Sequence, residues 1–232
     1  MSPGPSPSPL VVAIDGPAGS GKSTLARRLA EALGWAYLDT GAMYRAVTVR
    51  ALEQGVAPTD GPALSRIARD ARIDLDPRTG RVRIDGRDVT EAIRTSTVDA
   101  AVSDVAAVAA VRDVMVAHQR RFAAENEHVV AEGRDIGTVV FPEATLKVYL
   151  DASADERARR RVEEKRRKDP ALDPLAVRVS IDVRDGKDSN REVAPLREAD
   201  DAVRVDTTGL GPDKVLEVVR ALVLSRVPPV RP

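Results

Sequence analysis

Leu10-Val11-Val12-Ala13-Ile14 is an unbroken apolar run rich in β-branched side chains, the pattern of a central strand buried on both faces of a sheet. It runs into a glycine-rich stretch. Beyond that, Leu25, Leu29 and Leu33 recur at helical spacing between Lys22 and Leu33, and Gly34 stands where a C-terminal cap belongs. Similar strands are predicted at Ala36-Tyr37-Leu38, His128-Val129-Val130-Ala131, Leu146-Lys147-Val148-Tyr149-Leu150 and Ala202-Val203-Arg204-Val205, separated by segments of helical pattern. This alternation predicts an α/β fold, a parallel sheet flanked by helices. Between residues 73 and 89 the texture changes. Ile73-Asp74-Leu75 and Arg81-Val82-Arg83-Ile84-Asp85 alternate apolar with polar around Asp76-Pro77-Arg78-Thr79-Gly80, which predicts an antiparallel hairpin inserted into the core. Residues 1–9, rich in Ser, Pro and Gly, read as a loose arm, and Pro228-Pro229-Val230-Arg231-Pro232 as a frayed tail.

Composition narrows the function. At 43% hydrophobic and 31% charged residues, the 232-residue chain has the make-up of one folded, soluble unit. Its 36 lysines and arginines balance 36 acidic residues, so no overall field holds a nucleic acid polymer and any anion site is local. The lack of cysteine excludes disulfides, thiolate metal sites and a cysteine nucleophile. No apolar run reaches the length of a membrane span and no secretion signal is visible, which makes the cytoplasm the expected location.

The candidate chemistry starts at Gly16-Pro17-Ala18-Gly19-Ser20-Gly21-Lys22-Ser23, which matches the Walker A pattern in full between a buried strand and a helix. Glycines at 16, 19 and 21 let the backbone bend so that successive N–H groups and the helix N-terminus converge on one anion. Lys22 is then placed to reach the β- and γ-phosphates of ATP, and the Ser23 hydroxyl to hold Mg²⁺. Together with Thr24 these residues are the candidate ATP contacts. A guanine-reading Asn-Lys-x-Asp is missing, which argues against a GTPase. Val129-Val130-Ala131-Glu132 resembles a motor ATPase strand only weakly, and Gly133-Arg134-Asp135 sets a fixed cation beside a carboxylate at a strand end, where open α/β sheets bind ligands.

Asp39-Thr40-Gly41-Ala42-Met43-Tyr44-Arg45, Ile93-Arg94-Thr95, the run from Glu132-Gly133-Arg134-Asp135 to Phe141-Pro142, and Asp188-Ser189-Asn190-Arg191 resemble, in the same order, the motifs of bacterial cytidylate kinase. The resemblance runs from about residue 12 to about residue 223. It implies a P-loop nucleoside monophosphate kinase that phosphorylates CMP and dCMP with ATP and Mg²⁺, as a cytoplasmic monomer. It implies a kinase domain over 10–226, with an insert at about 63–95, a lid at about 153–170 and a tail at 227–232. Thr40, Arg45, Arg134 and Arg184 would surround the acceptor phosphate, Ser103, Arg112 and Asp135 would face cytosine, and Asp188 would hold the sugar. Cytosine chemistry agrees, because its N4 amino group donates to a carboxylate and its N3 accepts from a donor such as arginine. Thr40 stands where the family commonly has serine, and Glu132 where it has aspartate.

The resemblance puts the lid on an arginine-rich helix from Asp155 to about residue 168, where Arg157 and Arg161 share a face and join Lys22, Arg134 and Arg184 as candidate catalytic cations. His118 and His128 read as structural, while Tyr44 and Arg94 divide evenly between packing and ligand contact. A kinase for another small acceptor, such as shikimate, and a nucleotide-dependent switch stay open as alternatives at this point.

Overall fold

The computed structural model describes residues 9–166 and 171–227; most of the expected arm, part of the expected lid and Pro228 to Pro232 lie outside them. In chain order the elements are β1 (Leu10–Asp15), α1 (Lys22–Leu33), β2 (Ala36–Asp39), α2 (Thr40–Glu53), α3 (Gly61–Asp70), β3 (Ile73–Leu75), β4 (Val82–Ile84) and β5 (Arg87–Asp88). A 3₁₀ turn (Ala92–Arg94) leads to α4 (Ser96–Ala107), α5 (Ala109–Ala124) and β6 (His128–Glu132). After a π-helical turn (Ile136–Val140) come β7 (Leu146–Asp151), α6 (Ala154–Arg166), α7 (Pro174–Asn190), β8 (Val203–Asp206) and α8 (Pro212–Arg226).

Five strands form a parallel sheet in the order β2, β6, β1, β7, β8, with β1 central. The alternation within β1 explains why it is apolar throughout. Val12 and Ile14 join Leu25 and Leu29 of α1 and Val219 of α8 on one face, whereas Ala13 joins Leu38, Met43, Leu64 and Met115 under α2 to α5 on the other. Gly34 caps α1 with φ 70°, as the sequence predicts. Val227, assigned to the tail by sequence, packs its side chain into the α1–α8 side of the core.

The expected hairpin is present as β3 and β4, with Ile73 opposite Ile84 and Leu75 opposite Val82. A third strand, β5, was not expected, since its two residues are exposed and carry no apolar alternation. Its signal was the Asp85-Gly86 pair: both residues have positive φ, 52° and 81°, which makes the two-residue turn that folds β5 back on β4. Val82 and Ile84 seat this small sheet on Ala42, Ala46 and Val49 of α2. Its loop also covers the edge strand β2, where Tyr37 N–H donates to Pro77 O at 2.8 Å.

Every strand of the large sheet ends on a carboxylate: Asp15, Asp39, Glu132, Asp151 and Asp206. These side chains organise the loops above the sheet. Asp39 caps α2 by accepting from Ala42 N–H, and Asp15 accepts from the N–H groups of Ile136 and Gly137 at 2.8 and 2.7 Å. Asp15 thereby fixes the turn that follows Arg134 and Asp135. Burial pushes its carboxyl up to about 6, against the pull of those two N–H groups. Between the ordinary value of 3.8 and about 6 the folded state keeps a proton that the unfolded chain has released, so stability falls as pH rises through that window. Asp15→Asn should remove this contribution: denaturant midpoints measured from pH 4 to pH 6 should fall more steeply in the wild type than in the variant, and parallel curves would contradict the assignment.

Candidate phosphate and nucleotide site

The glycine loop joins β1 to α1 at the point where the order of the parallel strands reverses, since β6 lies on one side of β1 and β7 on the other. Gly16 adopts φ 148°, and a Cβ there would lie 2.0 Å from Leu150 O. Gly19 adopts φ 76° and would press against the Arg157 backbone at 2.9 Å. Both glycines are therefore required by conformation and by contact. No side chain caps α1 at Gly21, so its first N–H groups stay directed at the loop. Lys22 Nζ donates to Pro17 O at 2.6 Å and Ser20 Oγ at 3.4 Å, and burial, with Arg134 nearby, pulls it well below the usual lysine range. Beside it, Glu132 accepts from Tyr37 Oη at 2.6 Å, and the Ser23 side chain lies close by. Burial and Asp39 raise the Glu132 carboxyl, and Lys22 and these donors oppose the shift.

Arginines from several elements meet around the loop. Arg134 donates to Gly16 O at 3.0 Å and to Asp188 at 2.9 Å. Arg157 donates to Ala18 O at 3.0 Å and pairs with Asp185, which in turn accepts from Ala18 N–H at 2.9 Å. Arg161, its partner by sequence, turns elsewhere. It donates to Asp99 at 2.9 Å, and Arg45 reaches the same carboxylate at 2.5 Å. Arg184 stands 4.0 Å from both Asp99 and Asp188, and its Nε is buried without a hydrogen bond. Burial and the like charges of Arg134 and Arg45 pull Arg184 down to about 9, which leaves it charged at neutral pH. Burial would raise Asp188, but Arg134 and Arg184 outweigh it and hold its carboxyl below the usual range.

A third group lies next to these. Arg112 pairs with Asp135, both almost fully buried, and Arg191 Nη2 approaches Asp135 at 3.5 Å. The Arg112 guanidinium also lies 5.3 Å from the Tyr44 ring centroid, so Tyr44 supports a site residue from below. Ser103 donates to Asp188 at 3.1 Å, linking this group to Arg134. Thr40 Oγ1 donates to Glu132 O at 2.7 Å and lines the floor, where a Cβ on Gly133 would come within 2.6 Å of it. Arg94 ties the insert to the core through Asp39 at 2.7 Å. His128 accepts from Leu10 N–H and packs on Trp35, a structural role.

Sequence reasoning missed five residues here. Arg160 lies one helical turn from Arg157 and donates to Ser20 O at 3.3 Å and to Thr207 O at 2.6 Å. Arg191 closes the Asp188-Ser189-Asn190-Arg191 motif, Glu132 directly follows the strand predicted over residues 128–131, and Asp185 sits one turn before Asp188. Asp99 had a fainter signal, a single acid in the alanine- and valine-rich α4.

A parallel sheet with its glycine loop at the strand-order reversal, feeding a helix N-terminus, is the architecture of the P-loop nucleotide-binding proteins. The cytidylate kinase family model matches residues 12–225. A cytidylate kinase of Solibacter usitatus is 49% identical over 220 residues, 94% of either chain, and one of Rhodococcus jostii is 49% identical over 223 residues, 95% of this chain and 97% of its own. Among solved structures, an uncharacterized protein from Eubacterium ventriosum aligns with a TM-score of 0.55 at 12% identity over 94% of this chain and 99% of its own, a likeness of fold alone. The chain belongs to the cytidylate kinase family.

Lys22→Ala should abolish nearly all turnover while leaving the unfolding transition cooperative, because Arg134 on Gly16 O and Arg157 on Ala18 O also hold the loop. A variant that keeps a tenth or more of wild-type kcat, on the order of 1.4 kcal/mol of barrier or less, would contradict the role given to Lys22.

Proposed function

We propose that the protein transfers the γ-phosphate of ATP to CMP and dCMP, giving ADP with CDP or dCDP. The observation that carries this reading is the pairing of two anion-holding regions: a phosphate loop and, facing it, arginines 45, 134 and 184 beside a buried Arg112–Asp135 pair. The loop alone serves many reactions; a second cationic region with a base-sized hydrogen-bonding partner suits a nucleotide acceptor.

In this reading Gly16 to Thr24 hold the ATP phosphates, with Lys22 on the β- and γ-phosphates. Arg157, Arg160 and Arg161, on the helical lid, help to exclude water and offset charge during transfer. Arg45, Arg134 and Arg184 hold the acceptor phosphate, with Thr40 lining it. Asp188 holds the sugar, while Ser103, Arg112, Asp135 and Arg191 read the base. The Ser23 hydroxyl, close to the Glu132 carboxylate and next to Lys22, would hold Mg²⁺. When bound, the metal would supply positive charge that offsets the charge of the phosphates during transfer. All these side chains come from one chain, which suits a monomer, and no helix among the described residues is long and apolar enough to cross a membrane. The cytoplasm is the location that fits a supply of ATP and CMP.

Uracil presents O4 where cytosine presents N4, setting acceptor against the Asp135 carboxylate and leaving buried groups unpaired, at about 1–3 kcal/mol per group. Asp135→Ala should therefore reduce the ratio of kcat/KM for CMP over UMP by at least tenfold; an unchanged ratio would remove the base assignment. The function itself is tested by an acceptor panel with an ADP-release assay. CMP and dCMP should lead, with little ADP formed in their absence. A lead by a non-nucleotide acceptor, or equal ADP release without acceptor, would contradict the proposal.

A further inference from the structure

Asp99 stands in the first turn of α4 with its side chain only 11% exposed, and three arginines from three other elements converge on it. Arg45 of α2 reaches Oδ1 at 2.5 Å, Arg161 of α6 reaches Oδ2 at 2.9 Å, and Arg184 of α7 lies 4.0 Å from Oδ1. Under the functional proposal above, on which this inference rests, Arg45 and Arg184 serve the acceptor phosphate and Arg161 the phosphate in transfer.

Asp99 accepts from Arg45 and Arg161 but does not reach the third guanidinium, Arg184. Arg184 Nη1 stands 4.0 Å from Asp99, longer than a hydrogen bond, and its Nε, 4.0 Å from Asp188, is buried with no hydrogen-bond partner. A phosphate brings three terminal oxygens and up to two negative charges to the same donors, so it fits the cluster more completely. The carboxylate nevertheless has a function without nucleotide. Three guanidiniums held this close repel one another, and an internal anion keeps them gathered. Asp99 also links α4 to α6 through Arg161, so the arginine-rich helix is tied down on the acceptor side.

We propose that Asp99 is an internal stand-in for the acceptor phosphate: it occupies the arginine cluster, latches α6 to α4, and yields the arginines when a nucleotide phosphate enters. Asp99 then competes with substrate and raises the threshold for anions that bind without base contacts, such as inorganic sulfate.

Isothermal titration of CMP and of sulfate into the wild type, Asp99→Asn, Asp99→Ala and Asp99→Glu tests this. The two uncharged variants should bind CMP about fivefold or more tighter than the wild type, a typical size for a competing interaction, and should bind sulfate more tightly as well. Asp99→Glu keeps the anion and should stay within twofold of the wild type. Equal or weaker CMP binding by the uncharged variants, with wild-type binding intact, would overturn the inference and leave the kinase reading standing. If either uncharged variant fails to fold, the other carries the comparison. A wild type that binds ATP but not CMP would instead bring down the functional reading and this inference with it.

Discussion

Cations gathered to hold phosphate repel one another, and burial makes that repulsion worse by removing the water that would screen it. The arginines around the phosphate loop are arranged to meet this constraint. Arg134 has Asp188, Arg157 has Asp185, Arg112 and Arg191 share Asp135, and Arg45 and Arg161 share Asp99. Arg184 is least well matched, and it is the one whose ordinary pKa is pulled down furthest by burial and like charge. The site is thus held together before any nucleotide arrives. Its readiness depends on carboxylates that are as much part of the machinery as the arginines.

The fold supplies those carboxylates from two sources. One is the C-terminal edge of the parallel sheet, where each strand ends on an acid that organises the loop above it. Asp15 fixes the turn after Arg134 and Asp135, Asp39 caps α2 and receives Arg94, and Glu132 meets Ser23 and Tyr37. The other source is the helices packed over that edge, with Asp99 on α4 and Asp185 and Asp188 on α7. Because α4, α6 and α7 contribute charges to the same few ångströms, ligand binding and helix position are linked through ion pairs rather than through a hinge alone.

Much of this was legible in the sequence. The five strands of the parallel sheet and the Gly34 cap follow from apolar-rich segments and glycine placement, since both depend on local residues. The phosphate loop was equally clear, because its glycines answer a local backbone demand. The strand ends ran one residue further than the apolar runs, since acids close them. The β5 strand escaped notice because an exposed two-residue strand leaves no hydrophobic trace. At the site, the sequence singles out most of the arginines and two of their partners, Asp135 and Asp188, but not Asp99 or Asp185. Asp99 is 54 residues from Arg45 and 62 from Arg161, and no spacing rule relates residues brought together only by packing. Arg161 itself was grouped with Arg157 by helical phase, yet the two face different carboxylates because Asp99 and Asp185 lie on different helices.

A nucleotide phosphate is expected to take over arginines now held by carboxylates. A crystal structure of the CMP complex tests it most directly. The CMP phosphate is expected among Arg45, Arg134 and Arg184, the base against Asp135, and the Arg45–Asp99 and Arg161–Asp99 pairs broken. A CMP phosphate bound elsewhere, with both pairs to Asp99 intact, would contradict it.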